Sequence, residues 1–193
     1  RGMKVGMIRP RTVSPFPVKS FDKIEELAKN KIDMLASIPA ILPVSLKNKS
    51  THQVTSSFGY RMHPIYKTPK FHAGMDFTGT VGTPIYATGN GVVIESKFDK
   101  GYGRHVVIDH GFSYKTLYAH MDKILAKKGQ KIKRGDVIGY LGNTGLSTGP
   151  HLHYEVRKNN KPIDPINFYF NDLTPDEFEL LVETANNTGQ SMD

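Results

Sequence analysis

The sequence predicts a mainly β protein: a compact antiparallel β-sheet or sandwich with a short helix at each chain end. Three observations predict it. Short β-branched runs recur between about residues 50 and 168, each bounded by turn residues. Glycine and proline are frequent, 18 and 12 in 193 residues, as a turn-rich chain requires. Helical periodicity is confined to the two ends.

Residues 1–19 are basic and carry Pro10, Pro15 and Pro17, which reads as an extended arm. A helix is expected from Ser20, with Phe21, Ile24, Leu27, Ala28, Ile32 and Leu35 on one face and Pro39 as its stop. The strand runs are Thr83–Ala87, Gly91–Ile94, His105–Ile108, Tyr114–Tyr118 and Asp136–Gly139. His110, in Asp109-His110-Gly111, is expected in a hairpin turn. Near the end, Thr174-Pro175-Asp176-Glu177 is a capping box with proline at the first helical position, and Phe178, Leu181 and Ala185 repeat at helical spacing. These boundaries divide the chain into an arm and helix (1–46, linker or regulatory), a central β domain (47–170) and a terminal helix and tail (171–193).

Lys and Arg number 26 against 18 Asp and Glu, a net charge of +8 that favours anionic partners. No nucleic-acid-binding motif or aromatic-interleaved basic stripe accompanies it, so no nucleic-acid partner is expected. Lys127, Lys128, Lys131, Lys133 and Arg134 cluster around one turn and read first as a solvated face. No apolar window of membrane-spanning length occurs. The opening Arg1-Gly2-Met3 looks trimmed, which leaves open a signal or membrane anchor upstream of residue 1. With no cysteine, thiol catalysis and Cys-ligated metal sites are excluded, and any metal must be held by His, Asp or Glu.

The histidines then carry the argument. His151-Leu152-His153-Tyr154-Glu155-Val156 alternates, so a strand puts His151, His153 and Glu155 on one face. His72-Ala73-Gly74-Met75-Asp76 adds an imidazole and a carboxylate, with Gly74 placed to let the backbone bend. Two imidazoles and one carboxylate on zinc leave a coordination position open for water, the catalytic arrangement. His72, Asp76 and one of His151 and His153 would form that set, leaving the other, with His120, as general acid or base. His-X-His alone is weak evidence; the second motif is what strengthens it.

Four stretches resemble the lysostaphin/LytM-type zinc metalloendopeptidases, which hydrolyse peptide cross-links of peptidoglycan. They are Phe58-Gly59-Tyr60-Arg61-Met62-His63-Pro64, His72-Ala73-Gly74-Met75-Asp76, Tyr118-Ala119-His120, and Gly142–Glu155 with its Gly-Pro-His-Leu-His core. The likeness covers about residues 54–168. It implies zinc held by His72, Asp76 and His153, with His120 and His151 flanking the attacking water. It also implies substrate contacts from Tyr66, Arg61 and Asn143, with a salt bridge for Arg61 and a turn for Asn143 as the plainer alternatives. The run Gly142–Gly149 and the loop Phe58–Phe71 are expected to wall a narrow groove.

The resemblance implies peptidoglycan as partner, Zn2+ as cofactor, and a cell-envelope location, periplasmic or secreted. Its motif set leans towards the D-Ala to diamino acid bond. A non-hydrolytic scaffold that binds wall or activates another hydrolase is the main rival, and the presence of both His120 and His151 argues against it. A biotinyl- or lipoyl-like carrier barrel would match the rhythm of Lys128–Gly139, but lacks the modified-lysine turn and leaves the histidines unexplained.

Overall fold

The computed structural model describes residues 19–46, 53–62, 68–171 and 173–187. The arm up to residue 18, and Tyr66 with His52 and His63, lie outside the described residues. The chain divides into two compact units, Arg1–Asp33 and Met34–Asp193.

Helix α1 (Lys19–Ser37) begins one residue before the predicted start, so that Ser20 lies within the helix rather than capping it, and ends two residues before Pro39. Of its apolar face, Leu35, in the second unit, keeps 53% of its surface. Periodicity reports a helix with an apolar stripe; it does not report what covers the stripe. In the second unit, Arg134 Nη2 donates to the carbonyls of Leu35, Ala36 and Ile38 at 2.6–3.1 Å. These are orphan carbonyls of a helix end, so this member of the basic cluster is a helix cap.

In chain order come β1 (Gln53–Ser56), β2 (Gly59–Met62), β3 (Pro69–His72), β4 (Met75–Thr78) and β5 (Pro84–Tyr86). The long strands β6 (Gly91–Asp99), β7 (Gly103–Gly111) and β8 (Tyr114–Met121) follow. Next are β9 (Lys123–Ile124), β10 (Lys131–Ile132), β11 (Val137–Tyr140), β12 (His151–Lys158) and β13 (Lys161–Ile163). A 3-10 helix at Pro165–Asn171 and helix α2 (Pro175–Asn187) complete the second unit. His110 is a strand residue of β7, not a turn residue; the turn is Phe112-Ser113, both at positive φ.

The main sheet has the order β1-β4-β12-β8-β7-β6-β10, with β13 also on β12, and its pairs are antiparallel. A second sheet, β5-β11-β9, and the hairpin β2-β3 are separate. The predicted mainly β, antiparallel architecture stands.

The core lies on one face of the main sheet. Leu152, Tyr154 and Val156 of β12 enter it with Phe77, Ile108 and Tyr118, and meet Ile85 and Ile138 of the second sheet. Leu42 and Val44, just after α1, and Leu181 and Ala185 of α2 belong to the same core. The predicted capping box starts α2: Glu177 N donates to Thr174 Oγ1 at 3.3 Å, and Thr174 N to Glu177 Oε2 at 2.9 Å. One polar chain runs through this buried face. His110 bonds the Asn90 carbonyl through Nδ1 (2.7 Å) and Thr116 Oγ1 through Nε2 (2.7 Å). Thr116, Tyr118, Thr88 and Tyr154 continue it hydroxyl to hydroxyl at 2.9–3.1 Å.

Candidate metal centre

The other face of β12 carries His151, His153 and Glu155, all buried. Antiparallel pairing sets His153 directly opposite Asp76 of β4, and His151 opposite Thr78. Cross-strand partners share a face, so register alone brings His153, rather than His151, to the carboxylate. His72 ends β3 and Asp76 is the second residue of β4, joined through Ala73-Gly74. A Cβ at Gly74 would collide with the Tyr154 carbonyl oxygen, so glycine is needed for close approach to β12 as much as for the bend.

Three side-chain atoms then converge. His72 Nε2 lies 3.1 Å from Asp76 Oδ1, His153 Nδ1 lies 3.0 Å from it, and the two nitrogens are 2.9 Å apart. The outer nitrogens fix the tautomers. His72 Nδ1 donates to the Ser57 carbonyl at 2.9 Å, and His153 Nε2 donates to Glu155 Oε1 at 3.1 Å. Both ring protons are therefore committed outward, and the inner nitrogens present lone pairs to each other and to a carboxylate. Three acceptors at such distances repel unless positive charge sits among them, as an added imidazole proton or a metal cation.

Two nitrogens and an oxygen are a borderline-soft donor set suited to zinc. Bonds of about 2.0–2.1 Å in a tetrahedron put ligand atoms about 3.3–3.4 Å apart, close to the separations found here. Asp76 Oδ2 is buried with no hydrogen bond among the described residues, and Arg61 Nη2 stands 3.7 Å from it. Burial pushes the Asp76 carboxyl up, but once His153 and His72 carry an added proton their hydrogen bonds and charge outweigh that and hold it well below the ordinary range. The residues fit a zinc ion.

His120 and His151 stand beside this cluster. In plain alternation His120 would follow Tyr118 into the core, because Ala119 pairs with His153 on the metal face. Instead β8 carries a bulge against β7 between the pairs Arg104↔Met121 and Val106↔Tyr118, and His120 adopts φ +58°. That extra residue turns its ring to the metal face. Its Nδ1 donates to the Thr144 carbonyl at 2.8 Å, and its backbone N–H to the Tyr102 carbonyl at 2.8 Å. His151 Nδ1 donates to the Gly149 carbonyl at 2.8 Å. The two rings lie 4.5 Å apart, and the His120 ring is 6.1 Å from His153.

A cleft of about 240 Å³ opens on the cluster, lined by His72, His120 and His153 and by Arg61, Phe71 and Leu146 from the two predicted walls. Arg61 also donates to the Ser57 carbonyl at 3.0 Å. Asn143 is exposed and does not line the cleft, and Tyr66 lies outside the described residues. Sequence reasoning placed Glu155 on the right face without a role, and missed Tyr102 and the Ser57 carbonyl. The Glu155 carboxyl would be pushed up by burial, yet the His153 hydrogen bond and Arg157 hold it down at about 2. Burial and the Glu155 charge push the Tyr102 phenol up, so it stays protonated and donates.

The model of Peptidase family M23 matches residues 70–165 of this chain. Peptidoglycan DD-endopeptidase ShyA of Vibrio cholerae is 47% identical over 116 residues, 60% of this chain and 27% of that protein. The crystal structure of a zinc-containing peptidase from Vibrio cholerae is 46% identical with a TM-score of 0.58, covering 63% of this chain and 37% of the other. The catalytic domain of the antimicrobial peptidase lysostaphin from Staphylococcus simulans is 32% identical with a TM-score of 0.52, covering 57% of this chain and 88% of that one. The chain spans about a quarter of the length of the first curated relatives it matches. A matched catalytic domain covered almost end to end, and a family model spanning both His72–Asp76 and His151–Glu155, have one meaning: this chain belongs to peptidase family M23.

Proposed function

We propose that this chain is a zinc-dependent endopeptidase that hydrolyses peptide cross-links of bacterial peptidoglycan, at bonds between D-Ala and a diamino acid. The observation that carries the reading is the convergence of three lone-pair atoms within 3.1 Å, from His72, Asp76 and His153, beside a cleft that the two histidines line. Relatives named as peptidoglycan DD-endopeptidases support the substrate and the bond.

His72 Nε2, Asp76 Oδ1 and His153 Nδ1 would hold the ion. Bound there, zinc supplies Lewis-acid polarisation of the scissile carbonyl and acidifies water. The chain's own contribution is proton handling and positioning. His120 and His151 each commit Nδ1–H to a backbone carbonyl, which leaves Nε2 to accept or return a proton. One takes the proton of the attacking water, and the other donates to the oxyanion or the leaving amine. Arg61 lines the cleft and is assigned to substrate contact; Tyr66 and Asn143 receive the same assignment on the resemblance. A substrate of this kind implies work in the cell envelope, on the periplasmic or outer side of a membrane.

Digestion of purified peptidoglycan tests the reading, with fragments identified by mass and metal content measured in parallel. Cross-linked fragments should fall to monomers with wild type, and not with chelator or with His151→Ala. Bound zinc without cleavage of any wall type would overturn hydrolysis and favour a scaffold.

A further inference from the structure

The two histidines facing the ion site are supported differently. His72 gives its outer N–H to a neutral backbone carbonyl, whereas His153 gives its own to an ionised carboxylate. That carboxylate is itself clamped. Arg157 Nε holds Glu155 Oε2 at 2.7 Å, and Tyr102 donates its hydroxyl to Oε1 at 2.8 Å. The Tyr102 ring also lies tilted against His153 at 5.8 Å, and its backbone carbonyl accepts the His120 N–H.

A buried carboxylate is costly to keep unless it is paired and hydrogen-bonded. An ion pair with Arg157 would satisfy one oxygen; the other is spent on His153 and Tyr102. Arg157 is about one-third exposed and can turn to water, so Glu155 is not there to rescue a buried cation. We propose that Glu155, clamped by Arg157 and Tyr102, is a positioning residue that holds His153 with Nε2 protonated and Nδ1 aimed at the metal. The proposal rests on the zinc reading above and adds residues to it. Carboxylate support of this kind fixes a ligand ring's orientation and raises its basicity.

Zinc affinity measured by competition with a chromogenic chelator tests the proposal, for wild type, Glu155→Gln, Glu155→Ala and Tyr102→Phe. Glu155→Gln keeps the volume and an oxygen able to accept the His153 N–H, so it removes charge without a cavity and remains informative should Glu155→Ala not fold. It should weaken zinc binding about 10–100-fold, while metal-free melting changes little; Tyr102→Phe should weaken it less. Nitrogen-15 shifts of His153 in metal-free protein separate positioning from folding: Nε2-protonated in wild type and in Glu155→Gln, displaced in Glu155→Ala, where the acceptor is gone. Zinc affinity of Glu155→Gln within about twofold of wild type, or His153 nitrogens unmoved in Glu155→Ala, overturns the proposal. A wild type that binds no zinc would instead overturn the zinc reading, and the nitrogen shifts would still decide this one.

Discussion

The two faces of β12 are both buried and both meet a polar network, yet the networks are balanced differently. On the core face every hydroxyl in the chain from His110 to Tyr154 meets a partner that can donate when it accepts. On the other face His72, Asp76 and His153 bring three acceptors together, with both ring protons pointing away. A balanced buried network is structure, and its worth is read in stability. An excess of acceptors is a site, because it is incomplete without positive charge from outside the chain. The contrast separates the histidines of this protein by function better than burial does, since His110 and His153 are about equally buried.

The contrast breaks most sharply at the ligands. Asp76→Ala and His153→Ala should abolish stoichiometric zinc and hydrolysis together, while metal-free stability stays close to wild type because an unfavourable convergence has been relieved. Zinc itself should stabilise wild type by about 2.7 kcal/mol at a hundred times its dissociation constant and leave both variants unmoved. Melting curves with and without zinc would show this, and equal stabilisation of a ligand variant would mean the ion sits elsewhere. Next in size, His120→Ala and His151→Ala should each cut turnover about 10²–10⁴-fold with zinc retained. Loss of metal from either would move that residue from proton transfer into the ligand set.

The core face should answer in the opposite currency. Thr88→Val removes the hydroxyl that joins Tyr118 to Tyr154 and strands the buried Tyr154 phenol, while Tyr118 keeps Thr116 and the backbone N–H of residue 88, at about 1–3 kcal/mol of stability. Zinc affinity and turnover should be unchanged. Urea unfolding of Thr88→Val alongside zinc titration checks both halves, and altered zinc binding would show that the two faces are coupled through β12.

Much of this contrast is legible in the chain. The alternation from His151 to Val156 assigns each residue to a face, and Thr174 to Glu177 spells out the start of α2 before any contact is seen. Which paired histidine meets Asp76 is not legible from spacing, because it depends on the register of β12 against β4. The position of His120 is hidden for a related reason. Nothing in Tyr118-Ala119-His120-Met121 marks a bulge, since the residue at positive φ is a histidine rather than a glycine. Arg134 was hidden inside a run of lysines that looks uniform, and only tertiary contact distinguishes its role as a helix cap.

The smallest effect tests the balanced face through acid. Burial pushes the His110 imidazole below its ordinary value, outweighing the Asn90 carbonyl and the Asp109 charge that favour the charged form; Arg134 adds to the downward push. Folding therefore favours neutral His110, and the unfolded chain binds the proton more readily. Stability from this group is complete above the unfolded value of about 6.5 and is lost as pH falls through the lower folded value. The loss stays small because the chain can reverse: a proton on Nε2 turns Thr116 from donor to acceptor there, and its hydroxyl can donate to Tyr118 instead. Urea midpoints at pH 7.5 and 5.5 should thus fall further in wild type than in His110→Gln, which keeps a donor for the Asn90 carbonyl and cannot titrate. Parallel falls would mean that folding leaves the affinity of His110 for its proton unchanged, and the core face would then accommodate the charged ring as readily as water does.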